Sequence, residues 1–177
     1  MTNNAYSSIF ALNAMTQGNI WHVKPYSGRD SRDGKTADTA LKTLTKAQSK
    51  AVADRNDIVL LYTESNTASK TTDYQSVSLT WAKDGVHLIG VGAGPMVGQR
   101  SRIAQLSTAL TVEDMFTVSA DNCLIANLEI YQGVASSTAT SPRAMVVSGQ
   151  RNRIVNCQIS GMGDTSMDTA GARSLAV

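Results

Sequence analysis

Carboxylates are the residues of this sequence with the clearest potential for chemistry. Hydrolysis of a glycosidic bond needs two of them across one cleft, roughly 5 to 10 Å apart. The acids between residues 86 and 160 are Glu113, Asp114, Asp121 and Glu129. Glu113 and Asp114 are neighbours in a predicted turn, where carboxylates are usually solvated. Asp121 and Glu129 are therefore the weak candidates for a catalytic pair, and the sequence does not fix the distance between them.

Other kinds of catalytic or metal site have less support. A calcium-dependent lyase would need clustered acids with an Arg or Lys base beside them, and the sequence assembles no such set. His22 and His87 lack a Ser/Asp partner pattern, so we expect both to be structural. Cys123 and Cys157 lack the spacing of zinc ligands and are expected to be small buried residues. We predict no metal site and no cofactor.

Glycines and aromatic residues offer two further possibilities. The Gly-rich run at residues 90–94 lacks the full fingerprint of a phosphate-binding loop, so it is interpreted as a loop. Trp81, Tyr62 and Tyr131 have side chains that could stack on the faces of sugars. Aromatic residues in strands more often pack inward, so the alternative for all three is a place in the core.

The bulk composition predicts one folded unit. The chain has 177 residues, of which 42% are hydrophobic, enough for one well-filled core. Its net charge of +2 arises from 16 basic and 14 acidic residues mixed along the chain, so no basic stripe indicates a nucleic-acid partner. No apolar run approaches the roughly 20 residues of a membrane span, and no basic start of a secretory signal is present. We expect a protein made in the cytoplasm that is either soluble or a component of an assembly such as a virion.

Residues 1–23 are unusual because they contain no Asp, Glu, Lys or Arg. Disordered tails usually carry charge and few aromatic residues, whereas this segment mixes small polar residues with large apolar ones. We predict a docking arm that orders against a neighbouring subunit or platform. A strand of the same domain, or a cloning remnant, is the alternative. The candidate contact residues of the arm are Tyr6, Ile9, Phe10, Leu12 and Trp21.

Residues 24–56 are predicted to form a loop followed by one helix. Gly and Asp residues at 27–34 favour turns. Apolar residues then recur at spacings of three and four, which predicts a helix from about Asp38 to about Ala53, capped by Thr36 or Asp38. The apolar positions are Leu41, Leu44, Ala47 and Ala51.

From Asp57 to Val177 the sequence consists of short apolar runs, rich in β-branched residues and separated by turn residues, which predicts strands. None of these runs is long enough for a typical helix. They lie at residues 57–63, 77–81, 86–91, 103–106, 115–118, 124–130, 144–147 and 154–159.

A 29-residue repeat narrows the fold. It superposes Phe116 on Met145, Ile125 on Ile154, Asn127 on Asn156, and Ile130 on Ile159, and a weaker 37-residue offset places Leu88 on Ile125. Strand cores that stay in step while loops vary are typical of solenoids. The sequence predicts successive coils, each one pass of the chain around a common axis, that stack their apolar side chains. Asn127 over Asn156 is predicted to be a structural ladder rather than a binding site.

The last residues match the start of a further coil. Residues 173–177 align with residues 143–147 at an offset of 30. A stack that ended in this way would expose apolar side chains and unpaired strand edges, which natural proteins cover. We expect either that more chain follows or that a partner caps the stack.

Three segments together resemble a known superfamily. These are the turn from Gly28 to Thr36, the helix around Leu41–Leu44, and Asn56-Asp57-Ile58 at the first strand. They resemble the opening of pectate-lyase-like right-handed parallel β-helix proteins, in which a Gly/Asp turn precedes a capping helix and a Gly-Asp pair precedes the first strand. Here Asn56 replaces the glycine. From about Trp21 onward the resemblance implies an all-β, right-handed parallel β-helix.

The superfamily includes lyases, glycan hydrolases and virion proteins of tailed bacteriophages, such as tailspikes and head decorations. This chain most resembles the N-terminal part of such a virion protein. We therefore expect a structural protein of a phage particle, without enzyme activity, docked on the capsid as a decoration or head fibre through its arm and forming a homotrimer. The alternative is a tailspike-type protein that degrades or binds a glycan.

Overall fold

A computed structural model describes residues 18–65, 72–92, 101–106, 108, 111–132 and 143–160. Within these residues the chain is mostly β, with one helix, α1 (Leu44–Lys50). The strands are β1 (Ile20–Val23), β2 (Ile58–Tyr62), β3 (Thr72–Gln75), β4 (Leu79–Trp81), β5 (His87–Val91), β6 (Ser101–Gln105), β7 (Asp114–Val118), β8 (Leu124–Ala126), β9 (Leu128–Tyr131), β10 (Arg143–Val147), β11 (Arg153–Val155) and β12 (Gln158–Ser160).

The strands form three sheets, and all of the strand pairs are parallel. Sheet A has the order β1-β2-β5-β8-β11, sheet B the order β3-β6-β9-β12, and sheet C the order β4-β7-β10. From β2 onward, each pass of the chain adds a strand to sheet A, then to sheet B, then to sheet C. The expected all-β class with parallel sheets is confirmed.

The register between coils is the one that the sequence repeat predicts. Ile125 pairs with Ile154, and the other 29-residue pairs follow in sheets B and C. Leu88 pairs with Ile125 at the 37-residue offset. The loops therefore absorb the differences in length, while the strand cores remain in step.

The core is built from inward-facing rows of equivalent residues in successive coils. One row of sheet A contains Trp21, Val59, Leu88, Ile125 and Ile154. Residues from all three sheets and from α1 join it in one apolar cluster. Within a row, each side chain is covered by the equivalent side chains of the coils above and below, so burial depends on stacking rather than on any single coil.

Left-handed backbone recurs at one turn of every coil. Asn56, Gly85, Asn122 and Arg151 precede successive strands of sheet A and have φ values of 57°, 63°, 57° and 56°. Asn adopts this conformation more readily than most residues because its short side chain bonds locally, and Gly has no Cβ to clash. Backbone geometry therefore accounts for Asn or Gly at three of these four turns, and Arg151 adopts the same conformation at the fourth.

Asp57 joins the start of the chain to the first coil. Its carboxylate is fully buried and accepts hydrogen bonds from Asn19 N (2.7 Å), Trp21 Nε1 (3.1 Å) and Val52 N (3.0 Å). Arg55 donates to both carboxylate oxygens at 2.8 Å. Burial acts to raise the pKa of Asp57, but Arg55 and the other donors outweigh it and hold that pKa well below its usual value.

The helix is shorter than the sequence predicts, and its predicted caps are wrong. Leu41 forms a parallel β-bridge with Val23, so the chain is still extended there. The Asp30 carboxylate then accepts from the backbone of Lys42 (2.8 Å) and Thr43 (3.0 Å). These contacts delay the start of the helix until Thr43, whose hydroxyl accepts from the backbone N–H three residues later and caps the first turn.

The predicted arm is wrong at its C-terminal end. Ile20–Val23 form β1 and pair with β2, so they belong to sheet A. Trp21 faces inward, is 6% exposed and donates its indole N–H to Asp57, which makes it a core residue and not a docking contact. The other predicted contact residues, Tyr6, Ile9, Phe10 and Leu12, lie outside the described residues.

Strand β3 was not predicted because its sequence is polar. Asp73 nevertheless faces inward, in the row that continues with Ile103 and Ile130, and it is 4% exposed. Its carboxylate accepts a hydrogen bond of 2.9 Å from the backbone N–H of Leu44, the first residue of α1. Burial raises the pKa of Asp73 to about 6, although the hydrogen bonds from Leu44 and Gln75 act in the opposite direction.

The stacked core predicts a sharp contrast between two substitutions in sheet A. Ile125→Asp places an unpaired charge at a fully buried position and should lower the free energy of unfolding by roughly 3 kcal/mol or more. Val155→Asp, at a position 42% exposed on the opposite face, should have little effect. Urea denaturation followed by circular dichroism measures both, and an Ile125→Asp protein as stable as the parent would refute the coil register.

The pKa of Asp73 predicts a pH dependence of stability. Because this pKa is raised to about 6 from an ordinary 3.8, the unfolded chain releases the proton first. The stabilising contribution is therefore fully present below about pH 4 and is lost as the pH rises to about 6, a change of roughly 3 kcal/mol. Asp73→Asn keeps an acceptor for Leu44 and should remove this slope in urea titrations, whereas an unchanged slope would assign it to another group.

Candidate functional site

The first predicted catalytic residue, Asp121, lies in the turn before β8 and has a structural role. Its Oδ1 accepts from the backbone N–H of Gln150 at 2.7 Å, in the next coil. Its own backbone N–H donates to the Asp84 carboxylate of the preceding coil at 2.8 Å. Arg151 lies 3.5 Å from its other oxygen. Asp84 and Asp121 thus form a ladder in which each carboxylate binds the equivalent turn of the next coil.

The second predicted catalytic residue, Glu129, lies on the outer face of sheet B and is 3% exposed. Its Oε2 is 3.4 Å from Nε of Arg102, the residue opposite it on the neighbouring strand. Glu129 and Asp121 have different neighbours, so the structure does not bring them together as a pair. With its carboxylate buried beside a guanidinium, Glu129 is placed to hold Arg102 rather than to meet a sugar.

Arg102 and Glu129 belong to a polar row that crosses sheet B. Thr72 precedes them on β3, and Gln158 follows them on β12. Buried oxygens of Thr72 and Gln158 have no hydrogen-bond partner within the described part of the chain. The Arg102 guanidinium also lies 4.2 Å from the ring centre of Tyr131, a cation–π distance. This row, which we call the sheet B polar row, combines the charge, amide and hydroxyl groups that recognise polar ligands.

The three aromatic candidates for sugar stacking have different environments. Trp81 is fully buried and donates its indole N–H to the Val86 carbonyl at 2.8 Å, so it is a core residue. Tyr62 is half-buried, with its hydroxyl 2.9 Å from Nδ1 of His22 and the two rings stacked. Tyr131 alone adjoins the sheet B polar row. Of the three, it is the best placed to contact a ligand there.

The asparagine pair has the geometry expected of a ladder. Asn156 Nδ2 donates to Asn127 Oδ1 at 2.8 Å, and both residues have a left-handed backbone, with φ values of 51° and 58°. Asn127 alone separates β8 of sheet A from β9 of sheet B, and Asn156 with Cys157 separates β11 from β12. In the preceding coil, a Cβ on Gly90 would lie 2.0 Å from the Asn127 carbonyl oxygen, so only glycine fits beneath the ladder.

The remaining candidates also make structural contacts. His87 Nδ1 accepts from the backbone N–H of Leu124 at 3.1 Å, and burial lowers its pKa. Cys123 and Cys157 are free thiols whose pKa values are raised by burial. Asp114 is not a solvated turn residue, because Arg143 donates to both of its oxygens, at 2.6 and 2.9 Å.

Within the described residues, no group of three or more His, Cys, Asp or Glu side chains could hold a metal ion. The helix found among the described residues is not one that could span a membrane.

Comparison with protein-family models and with curated proteins finds no match. Among solved structures, a chain titled rhamnogalacturonan lyase aligns with 76% of this chain at 19% identity and a TM-score of 0.52. The alignment covers 34% of the lyase chain, so this chain spans about a third of its length. At this identity the likeness concerns the fold alone. It supports the resemblance to β-helical proteins and not the phage connection.

The sequence identified Glu129 and Tyr131 but not Arg102. The sequence signal that could have found Arg102 is a second offset between the same two coils. Arg102 and Glu129 pair at an offset of 27 residues in sheet B, whereas Leu88 and Ile125 pair at an offset of 37 in sheet A. The connection from sheet A to sheet B covers residues 92–100 in one coil and only Asn127 in the next. An alignment based on sheet A therefore misses the pair.

The ion pair of the sheet B polar row predicts non-additive stability. Glu129→Met alone leaves the Arg102 charge largely buried and unpaired and should destabilise the fold by about 3 kcal/mol, as should Arg102→Met alone for the Glu129 charge, whereas the two together should be nearly neutral. The exposed pair of Arg151 with Asp121 offers a control, since Arg151→Met should cost less than about 1 kcal/mol. Urea titrations that give additive effects at Arg102 and Glu129 would show that the two side chains do not interact.

Proposed function

We propose that the chain is a right-handed parallel β-helix that serves as a structural module of a bacteriophage particle. The order of strands in the three sheets, one strand per sheet in each coil, supports a solenoid. Parallel crossover connections are right-handed in nearly all proteins, which supports the handedness. The likeness in fold to the lyase agrees with this architecture.

The main support for a structural role is that acidic side chains bind other parts of the same chain. Asp121, the clearest exposed candidate for catalysis, binds the backbone of the next coil. Asp57 binds three backbone or indole N–H groups and Arg55, and Asp73 binds the first residue of α1. These acidic groups maintain the stack, whereas a hydrolase also needs a pair of carboxylates directed into a cleft.

The N-terminal segment supports attachment to a larger assembly. Residues 1–17 contain no charged side chain, so burial against a protein surface would leave no ion unpaired. We propose that these residues dock the module on the capsid and that the chain acts as a homotrimeric decoration or head fibre in the virion. The family resemblance, rather than any measured contact, supports the choice of a phage particle.

Attachment through the N-terminal segment predicts that removal of residues 1–17 abolishes binding to particles that lack the protein. Phe10→Asp should weaken this binding at least tenfold, because docking would bury the charge, while Asn13→Asp in the same segment should have a smaller effect. Co-sedimentation with the particles measures binding, and circular dichroism confirms that the sheets remain folded. A folded truncated chain that still co-sediments would exclude the segment as the docking element.

A second candidate function is glycan binding or cleavage, as in a tailspike-type protein. The specific observation in its favour is the sheet B polar row, where Arg102 and Tyr131 form a cation–π pair. Guanidinium and aromatic groups together suit an acidic polysaccharide, since one pairs with carboxylates and the other stacks on sugar rings. The solved structure with a similar fold is titled a lyase, which is consistent with this alternative.

Incubation with capsular or cell-wall polysaccharide separates the two functions. The structural proposal predicts no new sugar ends and no binding. The alternative predicts binding that Tyr131→Ala weakens at least tenfold and that Val155→Ala, on sheet A, leaves unchanged. If sugar ends are released and Asp121→Ala or Glu129→Ala abolishes the release, the protein is an enzyme and the structural proposal is wrong.

A further inference from the structure

Positive charge is concentrated in the segment that precedes the first coil. Residues 24–56 contain eight Lys or Arg against four Asp, a net charge of +4. The described residues from Asp57 onward contain five Lys or Arg against eight Asp or Glu, a net charge of −3. The near balance of charge in the whole chain therefore conceals a basic N-terminal end.

Four lysines of this segment cluster on and beside α1. Lys46 and Lys50 are one turn apart on the helix, and Lys42 comes two residues before it. Lys35, from the loop, joins them because its Nζ lies 3.8 Å from the ring centre of Trp21, and the Nζ of Lys50 lies 5.7 Å from the same ring centre. Lys50 is half-buried, and the other three lysines are exposed. We call these four lysines the α1 basic face.

The charge of the α1 basic face is not balanced by ion pairs within the described part of the chain. The ion pairs found there involve arginines at other positions. Two acids of the same loop bind other groups. Asp30 accepts from two backbone N–H groups just before the helix. The pKa of Asp33 is lowered mainly by its hydrogen bonds with Thr39 and with the backbone N–H of Lys35, and less by the charges of Lys50 and Lys35. The face therefore presents a positive potential to a partner.

The α1 basic face lies at the end of the stack where residues 1–17 join the described chain. Strand β1 is the first strand in the order of sheet A, and α1 packs against both β1 and β2. Trp21, which contacts Lys35 and Lys50, belongs to β1 and comes three positions after Gly18, the first described residue. A surface that bound residues 1–17 would therefore also come close to the α1 basic face.

We propose that the α1 basic face docks on an acidic protein surface. This deepens the proposed function, because the identification of that surface with the capsid rests on it. Residues 1–17, which carry no charge, would supply apolar contacts. The lysines would form a polar rim that attracts the partner at long range and sets its orientation.

The composition of the face favours carboxylates over phosphates as its partners. All four cations are lysines, whose compact and strongly hydrated charges pair with solvated carboxylates without a fixed geometry. The planar fork of arginine is better suited to bidentate recognition of phosphate. Trp21 is 6% exposed, so its ring offers little surface for stacking on nucleic-acid bases. The face therefore suits an acidic protein better than a nucleic acid.

Reversal of one charge tests the inference with a matched control. Lys46→Glu should weaken co-sedimentation of the full chain with particles that lack the protein at least fivefold. Arg153→Glu makes the same change of charge at an exposed site on β11 and should alter binding less than twofold. Lys46→Glu should not harm the fold, because this position lies three residues after the cap Thr43, where a glutamate completes a capping box. Added salt should weaken binding of the parent more steeply than binding of Lys46→Glu.

A probe without any phage component separates this inference from the proposed function. Poly-L-glutamate presents the carboxylates of an acidic protein. It should bind the parent and Arg153→Glu with similar affinity and Lys46→Glu at least fivefold more weakly. Double-stranded DNA at the same concentration of negative charge should bind the parent more weakly than poly-L-glutamate does.

The outcomes assign any failure to one proposal or the other. If the parent and Lys46→Glu bind the particles equally well, the inference is wrong while the proposed function stands. If the parent does not bind the particles, the proposed function is wrong, and poly-L-glutamate decides the inference. Equal binding of poly-L-glutamate by Lys46→Glu and Arg153→Glu, or tighter binding of DNA by the parent, would overturn the inference.

Discussion

The whole structure depends on the stacking of equivalent residues in successive coils. A single coil has too little apolar surface to bury its own side chains, so each inward side chain is covered by the equivalent side chains of the coils above and below it. Leu88, Ile125 and Ile154 show the result, because they pair in order and face the same core despite offsets of 37 and 29 residues. A one-residue insertion or deletion that shifted the register of a strand would turn the apolar side chains of that strand outward.

Among the described residues, β1 and the helix segment are what lies at the N-terminal end of the first coil, and buried carboxylates organise this cover. Asp57 connects β1, the end of the helix segment and Arg55. Asp73 and Asp30 bind the backbone at the start of α1. The family resemblance singled out Asp57 by its position before the first strand, and the structure gives the physical reason. Its carboxylate satisfies N–H groups that would otherwise be buried without partners.

The sequence predicted the features that repetition makes visible. The 29-residue register and the Asn127–Asn156 ladder follow from apolar and turn residues that recur in order. Strand β3 was missed because Asp73 takes an inward position to bind the helix, which hides the apolar alternation. The start of α1 was misplaced because the side chain of Asp30, distant in sequence, holds Thr43 outside the helix. Patterns that repeat along the sequence were therefore predictable, whereas polar contacts that occur once were not.

The central functional proposal is that the chain is a regular structural component of a phage particle. Quantitative mass spectrometry of virions purified from the source tests it most directly, by giving the copy number of the chain relative to the major capsid protein. The account predicts many copies in fixed proportion to the capsid subunits. A few copies would instead indicate a tail location and favour the glycan-directed alternative, and absence from the particle would contradict the claim.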